Sequence, residues 1–508
     1  MPEVTSLSFA VFFGLVLVCT FLTGRSRRWI PLLAASMLFA ACGSLLSVVL
    51  LSLFSFWGFG LARLIESSQN PRVRRMLLLC AVGGAIAALY AYRSVSLLGH
   101  AIQVSLPARG LIGPESTAVP LGLSYYSLKV VAYLFEVYAR RLPSERHLGR
   151  FFLYVAVFLE LPAGPIDRPQ ALLQQLEDPQ GVDQETARNG LRLILWGLVK
   201  KIFVADRLGV YVGQVFLHPR EEPWFALAFG TVVFGVQLYC DFSAYSDLAI
   251  GLGRLLGLRL QRNFNAPYAA RSVSDFWRRW HISLSSWLRD YVFLPLTYKL
   301  GRVLDAIHVP SNLVDTTAFS VSVFVTMLLA GLWHGEQTTY LAWGAVLALF
   351  MSVSVLTRKA RRAIGRRIGF GAHPRLRNSV RILSTLVMTN IAWVFFRASS
   401  VADGFFILRR IGEGIAASAG LGPGSVAVGP LRAGPDFARA TFGPGQAACL
   451  LVFVIIALVE SHGVDGEPDF ARLDRLPTWV RWSLYATAVL AVLLLGVEEG
   501  SGFIYAGF

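Results

Sequence analysis

Apolar residues run along this chain in long stretches, and the loops between them are short and rich in arginine. Runs of roughly 17–25 apolar residues match what an α-helix needs to cross about 30 Å of hydrocarbon. They lie at 7–23, 30–47, 49–65, 76–94, 117–138, 188–206, 223–240, 317–333, 338–356, 380–396, 446–460 and 479–497. Shorter buried pieces fall near 151–162 and 241–296. The pattern predicts an all-α polytopic integral membrane protein with about 11–13 transmembrane helices plus re-entrant or interfacial helices. The first run follows Met1–Glu3, which is not basic, and no small-residue cleavage pattern succeeds it, so a retained helix is expected rather than a secretory signal.

Composition strengthens this picture. Of 508 residues, 55% are hydrophobic and only 15% charged, with a mean hydropathy of +0.56. The net charge of +16 does not point to nucleic acid, because its positives concentrate in short loops. These are R-S-R-R at 25–28, R-V-R-R at 72–75, A-R-R at 139–141 and R-K-A-R-R-A-I-G-R-R at 358–367. Such loops face the cytoplasm and the anionic lipid headgroups there. Alternation from them puts the N-terminus, the Gly/Pro-rich 411–445 stretch and the C-terminus outside, and the polar 163–187 loop inside. Five scattered cysteines show no metal-ligand spacing, so neither a disulfide nor a bound metal is expected. A single membrane domain over 1–508 is expected.

The segment 241–296 is too polar for lipid yet lies between clear membrane runs. Polar backbone at membrane depth persists only inside protein or along a water-filled cavity, so a site is sought here. In D-F-W-R-R-W-H-I-S-L-S-S-W-L-R-D-Y (Asp275–Tyr291), a helical reading places Phe276, Trp280, Ser283 and Trp287 on one face. Trp277, His281, Ser285 and Leu288 form a neighbouring stripe, and Arg278 eclipses Arg289 as Arg279 eclipses Asp290. Two readings stand: a helix lying in the headgroups, or a cytoplasm-facing helix whose arginines meet an anionic substrate such as a nucleotide or pantetheine phosphate. Asp241, Tyr245 and Asp247 cluster in apolar surroundings. Intramembrane carboxylates are normally paired, and Arg254, Arg262, Arg278 and Arg279 are the partners in view. Of eight histidines, only His281 and His334 sit in aromatic, membrane-associated segments. Each is either a satisfied core imidazole or a general base whose pKa lies near operating pH.

Several stretches, in order, bring a family into view: P-L-G-L-S-Y-Y (120–126), A-G-P-I-D-R (163–168), W-G-L-V-K-K-I-F-V-A-D (196–206) and D-F-S-A-Y-S-D-L-A-I-G (241–251). N-F-N-A-P-Y (263–268), the Asp275–Tyr291 segment, L-A-G-L-W-H-G (329–335) and W-V-F-F-R-A (393–398) follow. In these the chain resembles the membrane-bound O-acyltransferases, and among them the alginate O-acetyltransferase-like branch. The core motifs span about 117–400, with C-terminal helices and tail over 446–508.

The resemblance implies an acyltransferase core in a bacterial cytoplasmic (inner) membrane. A cytoplasmic thioester, acetyl-CoA or an acyl-carrier protein, would supply a short acyl group, with no bound cofactor expected, and a hydroxyl acceptor would approach from outside. His334 would be the base, with His281 orienting or giving oxyanion support. Trp277, Arg278, Arg279, Trp280, Ser285, Trp287, Trp333 and Asp241 become substrate-binding candidates. The final G-S-G-F-I-Y-A-G-F (500–508) is similar to the branch's aromatic tail, which makes Tyr505 a candidate acyl relay to an extracytoplasmic polysaccharide acetyltransferase. Ala506 and Gly507 depart from that tail, and Thr297-Tyr298 replace a pair of glycines. The acceptor implied is a cell-envelope polysaccharide such as alginate. D-alanyl or peptidoglycan O-acyl transfer are alternatives, as is a transporter or flippase using the same polar region as a path.

Overall fold

The computed structural model describes residues 4–105, 120–370, 372–420, 442–463, 466–495 and 502–504. All regular elements among the described residues are helices. Contacts divide the chain into two units. One comprises Met1–Trp196, Tyr245–Arg262 and Gly502–Phe508, the other Gly197–Ala244 and Asn263–Ser501.

The first unit is built from α1 (Leu7–Leu22), α2 (Trp29–Gly43), α3 (Leu45–Ser67), α4 (Pro71–Ser105), α5 (Leu123–Tyr138), α6 (Leu148–Ala156), α7 (Pro169–Glu177) and α8 (Gln184–Leu198, as far as Trp196). Helix α3 shows how a membrane helix sorts its faces. Leu46, Val49, Leu53, Phe56 and Leu64 are exposed, while Ser47, Leu51, Phe54, Ser55, Gly58 and Ala62 are buried. Most neighbours within each set are three or four residues apart, so both are helical stripes. The outward stripe is the bulkier and more apolar one, because lipid rather than water faces it, and small residues turn inward to let neighbours approach. Ser55 donates its hydroxyl to the Leu51 carbonyl at 2.8 Å, which removes the cost of burying it.

In the second unit, a π-helical turn at Val199–Ala205 is followed by α9 (Asp206–Leu217) and α10 (Trp224–Leu255, in this unit as far as Ala244). Then come α11 (Val273–Trp277), α12 (Ile282–Leu288), a second π-helical turn at Arg289–Phe293, α13 (Leu294–Ala306), α14 (Ser311–His334) and α15 (Thr338–Leu356). The rest are α16 (Arg358–Arg367), α17 (Pro374–Arg397), α18 (Val401–Ser418), α19 (Pro444–Ser461), α20 (Phe470–Asp474) and α21 (Thr478–Leu495). Helices α14 and α15 pack closely because glycine occupies their crossing. A Cβ on Gly344 would lie 2.3 Å from the Met327 carbonyl oxygen, and one on Gly331 2.5 Å from that of Tyr340.

Seven described helices are long and apolar enough to cross a membrane: Leu45–Ser67, Pro71–Ala91, Trp224–Leu255, Leu313–His334, Thr338–Leu356, Pro374–Arg397 and Pro444–Ser461. Leu7–Leu22 and Thr478–Leu494 are shorter apolar helices. The protein is therefore an all-α, multi-pass membrane protein.

Local expectations are corrected in four places. The run at 223–240 does not stop before Asp241: α10 carries on to Leu255, because Asp241 finds a cation within its own unit. The expected loop at 163–187 contains α7, opened by Pro169 at a position where no amide donor is needed. Helix α18 occupies the start of the 411–445 stretch, and residues 421–441 lie outside the described set. The fourth is the site segment itself. Asp275–Tyr291 is not one helix, since His281 adopts left-handed backbone angles (φ 44°, ψ 54°) between α11 and α12. The stripes drawn across it do not form. Arg279 and Arg278 instead meet Asp275 at 3.2 and 3.6 Å, and Arg289 meets Asp290 at 2.8 Å.

Candidate active site

Local sequence sets up the break at His281. Ser272 caps α11, its hydroxyl accepting from the Asp275 amide at 3.1 Å. The Ser285 amide donates to the His281 carbonyl at 2.8 Å, which begins α12. A left-handed conformation at a residue with a Cβ costs roughly 1 kcal/mol or more, so the surroundings must hold it. They do so through Asn263, which is fully buried. Its carbonyl accepts from the Ile282 amide at 2.8 Å. Its side-chain Oδ1 lies 2.6 Å from Ser283 Oγ and 3.2 Å from His281 Nδ1.

His334 closes α14, after which Gly335 turns to extended backbone. The imidazole is 3% exposed and walled by rings. Its centroid lies 5.0 Å from Trp333, 5.2 Å from Trp343, 5.2 Å from Phe396 and 6.1 Å from Tyr340. His281 meets the same Trp333 at 5.9 Å and Phe242 of α10 at 4.7 Å. The two buried imidazoles thus share one indole. Trp280 lies in a further aromatic layer, 5.1 Å from Trp393 and stacked on Phe276 at 5.3 Å.

Beside this wall is a cavity of about 440 Å³. Trp277, Arg278, Ser285 and Arg289 line it, and Phe319 and Met327 furnish apolar surface. Trp277 also contacts Trp343 at 5.7 Å, and Trp343 contacts His334. A short chain of rings therefore connects the cavity to the second histidine.

Of the residues singled out from sequence, His281, His334 and Trp333 come together, and Trp277, Arg278 and Ser285 share the cavity. Arg279 is turned to Asp275 and the Asn265 carbonyl. Trp287 is buried against Tyr291, 5.2 Å between centroids. Asp241 accepts from Lys201 at 2.9 Å, and Lys201 also reaches Asp206 at 2.8 Å. Lys201, on the π-helical turn, is thus an ion-pair partner of Asp241 that the arginine-based expectation did not include. Lys200 next to it meets Glu460 of α19 at 3.0 Å, and Tyr239 donates to the same carboxylate. Tyr505 lies outside the described residues. Asn263 was not singled out, although N-F-N-A-P-Y contains it. Two adjacent lysines inside an apolar run, Lys200 and Lys201, were the available signal for the carboxylates that meet them.

A multi-pass helical membrane protein that encloses two imidazoles in a cage of indoles, next to a cavity with cationic and apolar lining, has the makings of a group-transfer enzyme working away from bulk water. The chain belongs to the membrane-bound O-acyltransferase family: residues 123–401, more than half its length, match it. It is an O-acyltransferase, which sets aside the transporter alternative. Among curated proteins it is similar to the probable alginate O-acetylase of Pseudomonas putida, 32% identical over 77% of this chain and 75% of that protein. The probable alginate O-acetylase of Pseudomonas aeruginosa is likewise 32% identical, over 77% of this chain and 70% of its own. The peptidoglycan O-acetyltransferase of Helicobacter pylori is 29% identical over 57% of this chain and 56% of that protein.

Proposed function

We propose that the protein moves an acetyl group from a cytoplasmic thioester toward hydroxyls of a cell-envelope polysaccharide of the alginate type, in a bacterial inner membrane. The observation that carries this reading is the pair of buried imidazoles sharing Trp333, joined through Trp343 and Trp277 to the cavity. The likeness to alginate O-acetylases supports the choice of acceptor. The cavity suits the donor. Its apolar lining matches a pantetheine-like arm, and Arg278 and Arg289 match the phosphates of acetyl-CoA or of an acyl-carrier protein.

In the reaction, a neutral His334 takes the proton of the attacking hydroxyl as its oxygen bonds to the thioester carbonyl carbon. The tetrahedral adduct collapses, the carbon–sulfur bond breaks, and the leaving thiolate takes up the proton. An ester and a free thiol result. His281 orients the reacting groups, and the indole cage keeps out water, which would compete for the acyl group. We assign Tyr505 as an acyl relay to an extracytoplasmic transferase. A phenol with pKa near 10 is a better leaving group than a sugar hydroxyl, so its ester retains transfer potential.

The test follows label from radiolabelled acetyl-CoA into alginate in membranes that hold the full-length protein together with its extracytoplasmic transferase. Replacing His334 by Ala is expected to lower transfer by about 10²–10⁴-fold while expression and membrane insertion stay normal. Full transfer by that variant overturns the assignment.

A further inference from the structure

The geometry points to Asn263 as a positioning residue that fixes the tautomer of His281, placing the ring proton on Nδ1 and the lone pair on Nε2. Asn263 reaches His281 from the segment preceding α11, 18 positions earlier. An asparagine side chain can present either its oxygen or its amide nitrogen to a neighbour, and the choice must be read from surrounding donors. Here the surroundings decide it. The Ser283 backbone amide, which can only donate, points at the same atom at 3.4 Å, with the Ser283 hydroxyl at 2.6 Å. That atom must be oxygen. An oxygen acceptor 3.2 Å from His281 Nδ1 then requires the imidazole proton to be there.

The consequence changes what His281 can do. A neutral imidazole with Nδ1–H committed to Asn263 has no N–H on Nε2 with which to support an oxyanion. It presents a hydrogen-bond acceptor instead. His281 therefore receives an N–H of His334 and holds that ring in line, leaving the hydroxyl proton to the other nitrogen of His334. This is an asparagine–histidine arrangement in which the amide orients and the imidazole accepts. The inference rests on the acyl-transfer reading for what His281 serves, but not for which nitrogen carries the proton.

The groups around the ring allow a pH test. Phe242 of α10 and Trp333 of α14 meet the imidazole and do not titrate. His334, which shares Trp333 with it, is a titratable neighbour. Asp241, next to Phe242 in the chain, is matched by Lys201. Changing Asn263→Asp puts a carboxylate behind Nδ1–H and favours the imidazolium. The acidic limb of the rate profile should then move to higher pH, since the imidazolium must give up its Nε2 proton before His281 can accept.

The experiment begins with the unaltered full-length protein in lipid nanodiscs, labelled with ¹⁵N-histidine. His281 signals, identified by their loss in His281→Gln, are expected to show Nδ1 protonated and Nε2 bare. A protonated Nε2 overturns the inference without touching the acyl-transfer reading. Thiol release from acetyl-CoA with an alginate acceptor is then followed against pH. Asn263→Asp should shift the acidic limb upward by about one pH unit or more. Asn263→Ala should cut kcat by about 10²-fold and leave KM for acetyl-CoA within about twofold. An Asn263→Asp profile superimposable on that of the unaltered protein overturns the positioning role. Full activity in His281→Gln overturns the part of His281 in the reaction instead.

Discussion

Removing the Lys201 ammonium leaves two carboxylates buried with a lost common partner. Its Nζ lies 2.8 Å from Asp206 and 2.9 Å from Asp241, and all three residues are buried. At an effective dielectric constant near 20, each contact is worth about 6 kcal/mol of attraction. Desolvation of three charges and repulsion between the carboxylates cancel much of that sum. Breaking such a buried cluster from one side costs about 3–5 kcal/mol, because buried carboxylates lose the charge that offsets their desolvation. Lys201→Met keeps the length of the side chain and removes only its charge. For a chain of this size the usual entropy of unfolding is about 1 kcal/mol per degree, so Tm should fall by about 3–5 °C. The assay is thermal unfolding by intrinsic fluorescence in one detergent, comparing Lys201→Met with the triple variant Lys201→Met, Asp206→Asn, Asp241→Asn. The triple variant should recover at least half the loss. A Tm unchanged in Lys201→Met, or a triple variant no more stable than the single one, refutes the reasoning. Acyl transfer should fall with stability, since Asp241 anchors the turn of α10 whose Phe242 meets His281.

Three further outcomes are expected. Gly344→Val drives a branched side chain into the Met327 carbonyl, 2.3 Å from the Cβ position. It should cost about 1–3 kcal/mol and lower activity by moving α14 and His334, whereas Gly14→Ala, with nothing within 4 Å, leaves Tm unchanged. Arg278→Gln with Arg289→Gln should raise KM for acetyl-CoA about tenfold with little effect on kcat, by loss of charge-assisted hydrogen bonds; an unchanged KM removes the donor from the cavity. Intact-mass measurement after incubation with acetyl-CoA should find one acetyl adduct that Tyr505→Phe abolishes, together with polymer acetylation.

Much of the fold was legible because lipid imposes a simple demand: every spanning segment must satisfy its own backbone and show apolar side chains outward. Runs such as 338–356 and 446–460 coincide closely with α15 and α19. The passage through Tyr239–Asp247 was not legible as helix, because its polarity is compensated by Lys201, 40 positions earlier. Nor was the break at His281. Tryptophan, arginine and serine repeat at helical spacing on both sides of it, and nothing local marks a histidine for left-handed angles. The two site histidines emerged from ordered motifs rather than from periodicity, which left them equally consistent with core packing. Asn263 stayed hidden because its meaning lies in Ser283 and His281, brought to it by the break itself.

The bond between Lys200 and Glu460 bears on how this enzyme can be cut down for study. Residues 123–401 match the family, and a truncation guided by that match would end before α19 begins at Pro444. Such a fragment would retain both site histidines and lose the carboxylate that meets Lys200 and Tyr239. The smallest piece expected to fold therefore reaches past Glu460, and the boundary of the recognisable motif is not the boundary of the stable enzyme.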